Sequence, residues 1–320
     1  MTATEVPVWF VTGASRGLGR AITEAALEAG HRVVAASRTE GTLADAYPGR
    51  FVHIPLDVTD RDAVFEAVER AAGVFGGLDV VVNNAGVMLY GMVEEATEAQ
   101  VRAHFDVNFF GALWVAQAVL PHLKGGGRLL QVTSMGSGGG MASVGFYGAG
   151  KAALDALTDA LAMEVERFGV HVTNLQMGGY ATGLFTTGTT LTTPDPAYRE
   201  LRKELEEMWG DDAGPAPETA APVVLRVAAM DDPPRRLVVG GASFDMVQEL
   251  ARMRAEQYAG WAPPPRHAPG GGARAGGEPP AGAGPRVRPG PAATASPSPR
   301  PRPSHRRSRR ACSGRASLPW

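Results

Sequence analysis

The sequence has one cysteine, Cys312, so neither a disulfide framework nor a thiolate metal site can be built from it. Its seven histidines stand singly, none with a second histidine three or four positions on, which argues against a metal centre. No run of 18 apolar residues occurs, so no membrane-spanning helix is expected. The opening stretch MTATEVPVWFVTG lacks the charged and apolar regions of a secretory signal, and a cytoplasmic protein is expected. Aromatic residues make up only 7% of the chain and hydrophobic residues 44%, an ordinary globular composition. The 320 residues allow one large domain or two modest ones.

The net charge of −2 hides two different materials. Residues 262–320 carry eleven arginines and one glutamate, whereas residues 1–261 carry twenty basic and thirty-two acidic side chains. From Pro263 the chain is rich in Pro, Gly, Ala and Arg, with little that could form a core, and it reads as a disordered tail. Its arginines come without lysine or interleaved aromatics. That favours a solvated appendage, or an extended reading of a GC-rich gene, over a contact with nucleic acid or an acidic partner.

Residues 1–261 alternate short apolar runs with longer segments of helical spacing. The runs lie at 6–11, 32–36, 51–56, 78–83, 128–133, 170–175 and 236–241. They read as strands buried on both faces, so the expected fold is α/β, a single doubly wound parallel sheet with crossover helices. The first run leads into Thr12-Gly13-Ala14-Ser15-Arg16-Gly17-Leu18-Gly19, and a helical stretch follows. Glycines there permit a tight turn and close approach of a pyrophosphate, and the helix N-terminus supplies N–H groups with partial positive charge. Gly13, Ser15, Arg16, Gly17, Leu18 and Gly19 are therefore the expected phosphate cradle. Further on, FYGAGK at 146–151 places two glycines between a phenol and an ammonium one helical turn apart, in a segment otherwise suited to a helix.

TGASRGLG at 12–19, Asp57-Val58, NNAG at 83–86, Asn108, Ser134 and Tyr147-x-x-x-Lys151 occur in that order. In these motifs and their spacing, residues 6–261 resemble the short-chain dehydrogenase/reductase family, whose members share a Rossmann fold. The resemblance implies a catalytic set of Asn108, Ser134, Tyr147 and Lys151. Tyr147 would be the acid in carbonyl reduction and the base in alcohol oxidation, and Ser134 would bond the substrate oxygen. Asn108 would kink its helix and hold a water joining Lys151 to solvent. An unperturbed tyrosine, pKa about 10, holds its proton too tightly to cycle near neutrality. A cation at i+4 that lowers it by roughly 2–3 units supplies about 3–4 kcal/mol. The small residues of FYGAGK would keep bulk away from cofactor and substrate, at about 1 kcal/mol of helix stability per glycine.

The resemblance also implies cofactor contacts. Asp57 and Val58 would meet the adenine, and Asn84, Ala85 and Gly86 would border the adenosine ribose and nicotinamide. Tyr147 and Lys151 would face the nicotinamide ribose, with Gly178 and Thr182 over the nicotinamide. The second strand ends Ala35-Ala36-Ser37-Arg38, with serine where an NAD-preferring site presents a carboxylate. With Arg38 beside it and Arg16 in the glycine loop, NADP(H) is expected over NAD(H). Met177 stands where the family has proline, which puts the rigidity of that turn in question.

Substrate choice is expected in residues 87–91, 135–145 and 179–210. Apolar surface there comes from Met88, Leu89, Tyr90, Met135, Met141, Phe146, Tyr180, Leu184 and Phe185. An uncharged, medium-sized carbonyl compound or alcohol is expected as the small-molecule substrate. The alternatives are epimerisation or dehydration by the same Tyr/Lys pair, and a non-catalytic NADP sensor. The apolar helices around Asn108 and Tyr147 imply a homodimer or homotetramer.

Overall fold

The computed structural model describes residues 6–39, 43–123, 125–209 and 214–261; the expected tail, 262–320, lies outside the described residues. Seven parallel strands form the central sheet: β1 (Val8–Thr12), β2 (Arg32–Ser37), β3 (Phe51–Pro55), β4 (Val80–Asn83), β6 (Arg128–Ser134), β7 (His171–Met177) and β9 (Arg236–Val239). They coincide with the seven apolar runs. The order across the sheet is β3-β2-β1-β4-β6-β7-β9, so successive connections leave in opposite directions from the β1/β4 junction. That junction, at the carboxyl ends of the strands, is where such a sheet opens a crevice for a ligand.

Side chains alternate across the strands and build two cores. Phe10, Val34, Ile54 and Leu129 face helices α2 (Arg61–Phe75), α4 (Ala112–Leu123) and α5 (Gly145–Val165). Trp9, Val11, Val33, Leu130 and Leu175 face α1 (Gly17–Glu28) and α7 (Ala221–Ala229) on the other side. Both faces are covered, which is why the strands read as continuous apolar runs.

Two features escape simple periodicity. Between α3 (Glu98–Phe105) and α4 the chain widens into a π-helical turn, Asp106–Gly111, which buries Asn108 completely. A separate parallel pair, β5 (Met88–Tyr90) and β8 (Thr189–Leu191), joins the segment after β4 to the segment before α6 (Arg199–Trp209). Helix α8 (Gly241–Gly260) follows β9 and is largely exposed. Among the described residues no helix is long and apolar enough to cross a membrane.

Candidate active site

A cleft of about 860 Å³ opens at the carboxyl ends of β1, β2, β4, β6 and β7. Its floor begins with the glycine loop. Gly13 and Gly17 have φ of +65° and +54°, the left-handed region that favours glycine. A Cβ on Gly13 would lie 2.9 Å from Asn84 Nδ2, and one on Gly17 would lie 3.1 Å from Thr182 Cβ. The Thr12 hydroxyl accepts from the Asn84 and Ala85 N–H groups at 2.9 and 3.0 Å, and Asn84 Nδ2 donates to the Thr12 carbonyl at 2.9 Å. The loops after β1 and β4 are thus braced together, with the Asn84 side chain acting inside the protein and its backbone facing the cleft. Helix α1 starts with no side-chain cap and no acidic residue in its first turn. Small residues, space and uncapped N–H groups fit a dinucleotide pyrophosphate.

The structure brings Ser134, Tyr147 and Lys151 together in the middle of the cleft. Ser134 ends β6; its Oγ accepts from Gly136 N at 3.1 Å, while its own N–H donates to Ser137 Oγ at 3.3 Å. Tyr147 sits in the first turn of α5 and lines the cleft together with Ser134. Burial raises the Tyr147 pKa above its ordinary value, and Ser134 acts against that. One turn on, Lys151 is only 3% exposed and donates from Nζ to the Val132 carbonyl at 2.9 Å. Burial lowers its pKa to about 8. A phenol that holds its proton therefore stands beside an ammonium poised to lose one.

Asn108 lies behind this pair. A Cβ on Gly86 would come within 2.9 Å of Asn108 Oδ1 and 3.5 Å of Lys151 Nζ, so the two groups flank that glycine. Asn108 Oδ1 accepts from Val87 N at 3.2 Å and its Nδ2 donates to Val87 O at 2.8 Å, with His104 Nδ1 3.0 Å away. His104 is buried; burial, then the nearby Lys151 charge, lowers its pKa to about 4 against a hydrogen bond at the Phe146 backbone. The imidazole is thus neutral at ordinary pH.

These neighbours also show what the glycines of FYGAGK face. A Cβ on Gly150 would meet His104 Nε2 at 3.4 Å and Asn108 Cβ at 3.6 Å, so Gly150 faces the helix behind the site and not the cleft. Gly148 does line the cleft, against the Gly136 carbonyl at 3.5 Å.

Beside the ends of β1, β2 and β3, Ser15, Arg16, Leu18, Ser37, Arg38, Asp57 and Val58 all line the cleft. Ser37 Oγ donates to Thr39 O at 2.8 Å and is 3.0 Å from His53 Nε2, a neighbour on β3 that the sequence did not single out. Arg38 is exposed. The Arg16 guanidinium reaches across to the Thr187 hydroxyl. Of the expected cofactor residues only Gly19 is absent from the lining: its Cβ would fall 2.4 Å from the Gly13 carbonyl, so it serves helix-on-strand packing.

After β7 the chain handles the missing proline by continuing the sheet. Met177 pairs in register with Ser134 and Val239, and Gly178 N donates to Val239 O at 3.0 Å. A Cβ on Gly178 would lie 2.1 Å from Ser243 Oγ, so that position admits no side chain. Thr182 reaches the cleft beside Gly17. The far end is apolar, walled by Met88, Tyr90, Met135, Met141, Leu184 and Phe185, whereas Leu89 and Phe146 do not line it. The charged lining groups are Arg16, Arg38 and Asp57 at one end and Lys151 in the middle. Among the described residues, no group of three or more His, Cys, Asp or Glu side chains could hold a metal ion.

Comparison with known proteins agrees with this arrangement. The short chain dehydrogenase family model matches residues 7–190. A 3-ketodihydrosphingosine reductase of Bacteroides thetaiotaomicron is 33% identical over 72% of this chain and 87% of its own. A short-chain dehydrogenase from Streptomyces avermitilis superposes with a TM-score of 0.75 at 33% identity, covering 81% of this chain and 97% of that one. A short-chain dehydrogenase from Burkholderia cenocepacia in complex with NADP superposes with a TM-score of 0.64 at 29% identity, covering 81% and 99%. With the glycine loop, the sheet order and the Ser134, Tyr147 and Lys151 grouping on the same chain, this protein belongs to the short-chain dehydrogenase family of oxidoreductases.

Proposed function

We propose that the protein is an NADP(H)-dependent carbonyl reductase or alcohol dehydrogenase acting on an uncharged, apolar small molecule. The observation that carries this reading is Tyr147 in the cleft lining with Ser134, with the Lys151 ammonium buried one turn behind it. Bound with its pyrophosphate on the glycine loop, the nicotinamide dinucleotide supplies or accepts the hydride. In reduction, Ser134 holds the substrate carbonyl oxygen and Tyr147 gives it a proton from its phenolic O–H. Burial keeps that proton in place until negative charge develops on the oxygen. The phenolate that remains is stabilised by the Lys151 ammonium, which passes it a proton and is itself reprotonated from solvent past Asn108. The Asn108 carboxamide on that path is held in place by Val87 and His104.

NADP(H) is favoured over NAD(H) by Ser37 and Arg38 at the end of β2, where no carboxylate takes the place of Ser37, and by Arg16 in the glycine loop once its guanidinium leaves Thr187. The apolar far wall fits an uncharged ketone, aldehyde or alcohol. Assembly through α4 and α5 into a homodimer or homotetramer is part of the reading; Met163 is exposed on α5 and Phe110 on the turn that leads into α4. Titration of the full chain with NADPH and NADH, followed by NADPH oxidation against a panel of ketones, tests the proposal. Tighter NADPH binding with turnover of at least one ketone supports it. Solvent-proton exchange into substrate without NADPH loss would move the function to an epimerase.

A further inference from the structure

Glu95, between β5 and α3, has a side chain only 1% exposed, yet it lies outside the cleft lining. Its carboxylate accepts from Met92 N at 2.8 Å, Thr192 Oγ1 at 2.7 Å and Asp195 N at 2.8 Å, and it pairs through both oxygens with the Arg202 guanidinium. Burial would raise its pKa, but these bonds, Arg202 foremost, hold it down to about 2. Three of the four partners belong to the segment that runs from β8 into α6, about a hundred residues away in sequence.

The surroundings are shaped around the same contact. Strands β5 and β8 pair immediately before it, Thr192 N donates to Tyr90 O at 3.1 Å, and Gln100 Nε2 donates to Leu191 O at 3.0 Å. A Cβ on Gly91 would fall 1.8 Å from Thr192 Oγ1, so the two segments meet without room for a side chain. On its other edge the same covering segment presents Leu184 and Phe185 to the cleft, across from Met88 and Tyr90 of the body.

We infer that Glu95 is a positioning residue for substrate: it locks the back edge of the covering segment to the body and thereby fixes the height of the cleft's apolar roof. The inference rests on the reductase reading for the nature of the substrate. Dispersion contacts weaken steeply when a gap of 0.5–1 Å opens, so a roof free to rise loses affinity for a small ketone first. Tyr147, Ser134 and Lys151 stand on β6 and α5, and none of them is a partner of the Glu95 carboxylate, the nearest link being Gly91 N to Ser143 O at 2.8 Å just before α5. The effect therefore falls on substrate binding and size selection, and spares the proton transfer.

The test uses the full chain with Glu95→Gln, which keeps shape but loses the charge, and Arg202→Met, which leaves the other three donors in place. Hydrogen exchange across residues 183–198 is read alongside NADPH affinity and steady-state kinetics on ketones of graded size. Loss of a buried charge-assisted pair should speed exchange in that segment roughly 10- to 100-fold and leave β1, β4 and β6 unchanged. KM for the smallest accepted ketone should rise about tenfold with kcat within about threefold, larger ketones losing less, and NADPH affinity unchanged. Unchanged exchange in both variants overturns the inference, as does acceleration spread evenly over the sheet, or a fall in kcat at constant KM. If the unaltered protein oxidises NADPH with no ketone, the reductase reading fails, and the exchange measurement still decides whether Glu95 holds the roof.

Discussion

Replacing Gly150 by alanine should stabilise the protein. Glycine within a helix is disfavoured by about 1 kcal/mol relative to alanine, and Gly150 lies well inside α5. Its new methyl would meet His104 Nε2 at 3.4 Å and Asn108 Cβ at 3.6 Å, ordinary van der Waals distances in a buried place. No clash offsets the helical gain, so unfolding should move up by roughly 2–4 °C, the response of a domain of this size to 1 kcal/mol. NADPH affinity and kcat should stay within about threefold, because the methyl points away from the cleft. Gly148→Ala should gain a similar amount but place its methyl beside the Gly136 carbonyl in the cleft, raising KM. Gly19→Ala runs the other way: its Cβ would sit 2.4 Å from the Gly13 carbonyl and 2.5 Å from Asn84 Nδ2, both braced, and overpacking there costs about 1–3 kcal/mol or more. Thermal unfolding followed by circular dichroism, with NADPH titration, reads all three. A drop of more than about 2 °C for Gly150→Ala would show that α5 and α3 press closer than these distances allow, and would refute the reasoning.

Two further outcomes follow from the cofactor end and the buried lysine. Binding a polyanionic dinucleotide favours the charged form of Lys151, whose pKa burial lowers to about 8; affinity is therefore present below pH 8 and lost as pH rises through it. NADPH titrations between pH 6.5 and 9.5 should show Kd flat at first, then rising toward tenfold per unit, with no break in Lys151→Met. A flat profile in the unaltered protein contradicts this. Ser37→Asp places a carboxylate beside Arg38 where a 2′-phosphate is expected, and should weaken NADPH roughly 100-fold while improving NADH. Equal loss for both nucleotides would mean that Ser37 serves only its bonds to Thr39 and His53.

Much of the site was legible because it rests on local patterns. The five inner strands, β2, β1, β4, β6 and β7, are buried on both faces and so read as apolar runs, and Tyr147 and Lys151 share a helix face by simple spacing. The glycine loop declared itself by its place between β1 and α1. What stayed hidden depends on contacts between distant segments. Strands β5 and β8 are three residues each and about a hundred residues apart, too short to carry alternation. Glu95 lies in an acidic stretch that reads as solvated surface, and only the folded chain brings Thr192, Asp195 and Arg202 onto it. His53 sits half-buried on β3 between the core residues Phe51 and Ile54, and nothing in its spacing marked its contact with Ser37. For Gly150 the expectation that it keeps bulk from cofactor and substrate does not hold, because the space beside it belongs to His104 and Asn108, contacts that spacing does not reveal. At Met177, the departure from the family pattern falls on the last residue of β7, which pairs with Val239 and is followed by the bond from Gly178 N to Val239 O.

The central claim is that Tyr147 is the proton donor of a hydride-transfer enzyme. The most direct measurement is NADPH oxidation by the full chain with a turned-over ketone, repeated with Tyr147→Phe, alongside NADPH titration of both. Removing a positioned general acid should lower kcat roughly 10²- to 10⁴-fold while NADPH still binds within about threefold. Retention of kcat in Tyr147→Phe, with NADPH bound equally well, would contradict the account and move the proton to another group.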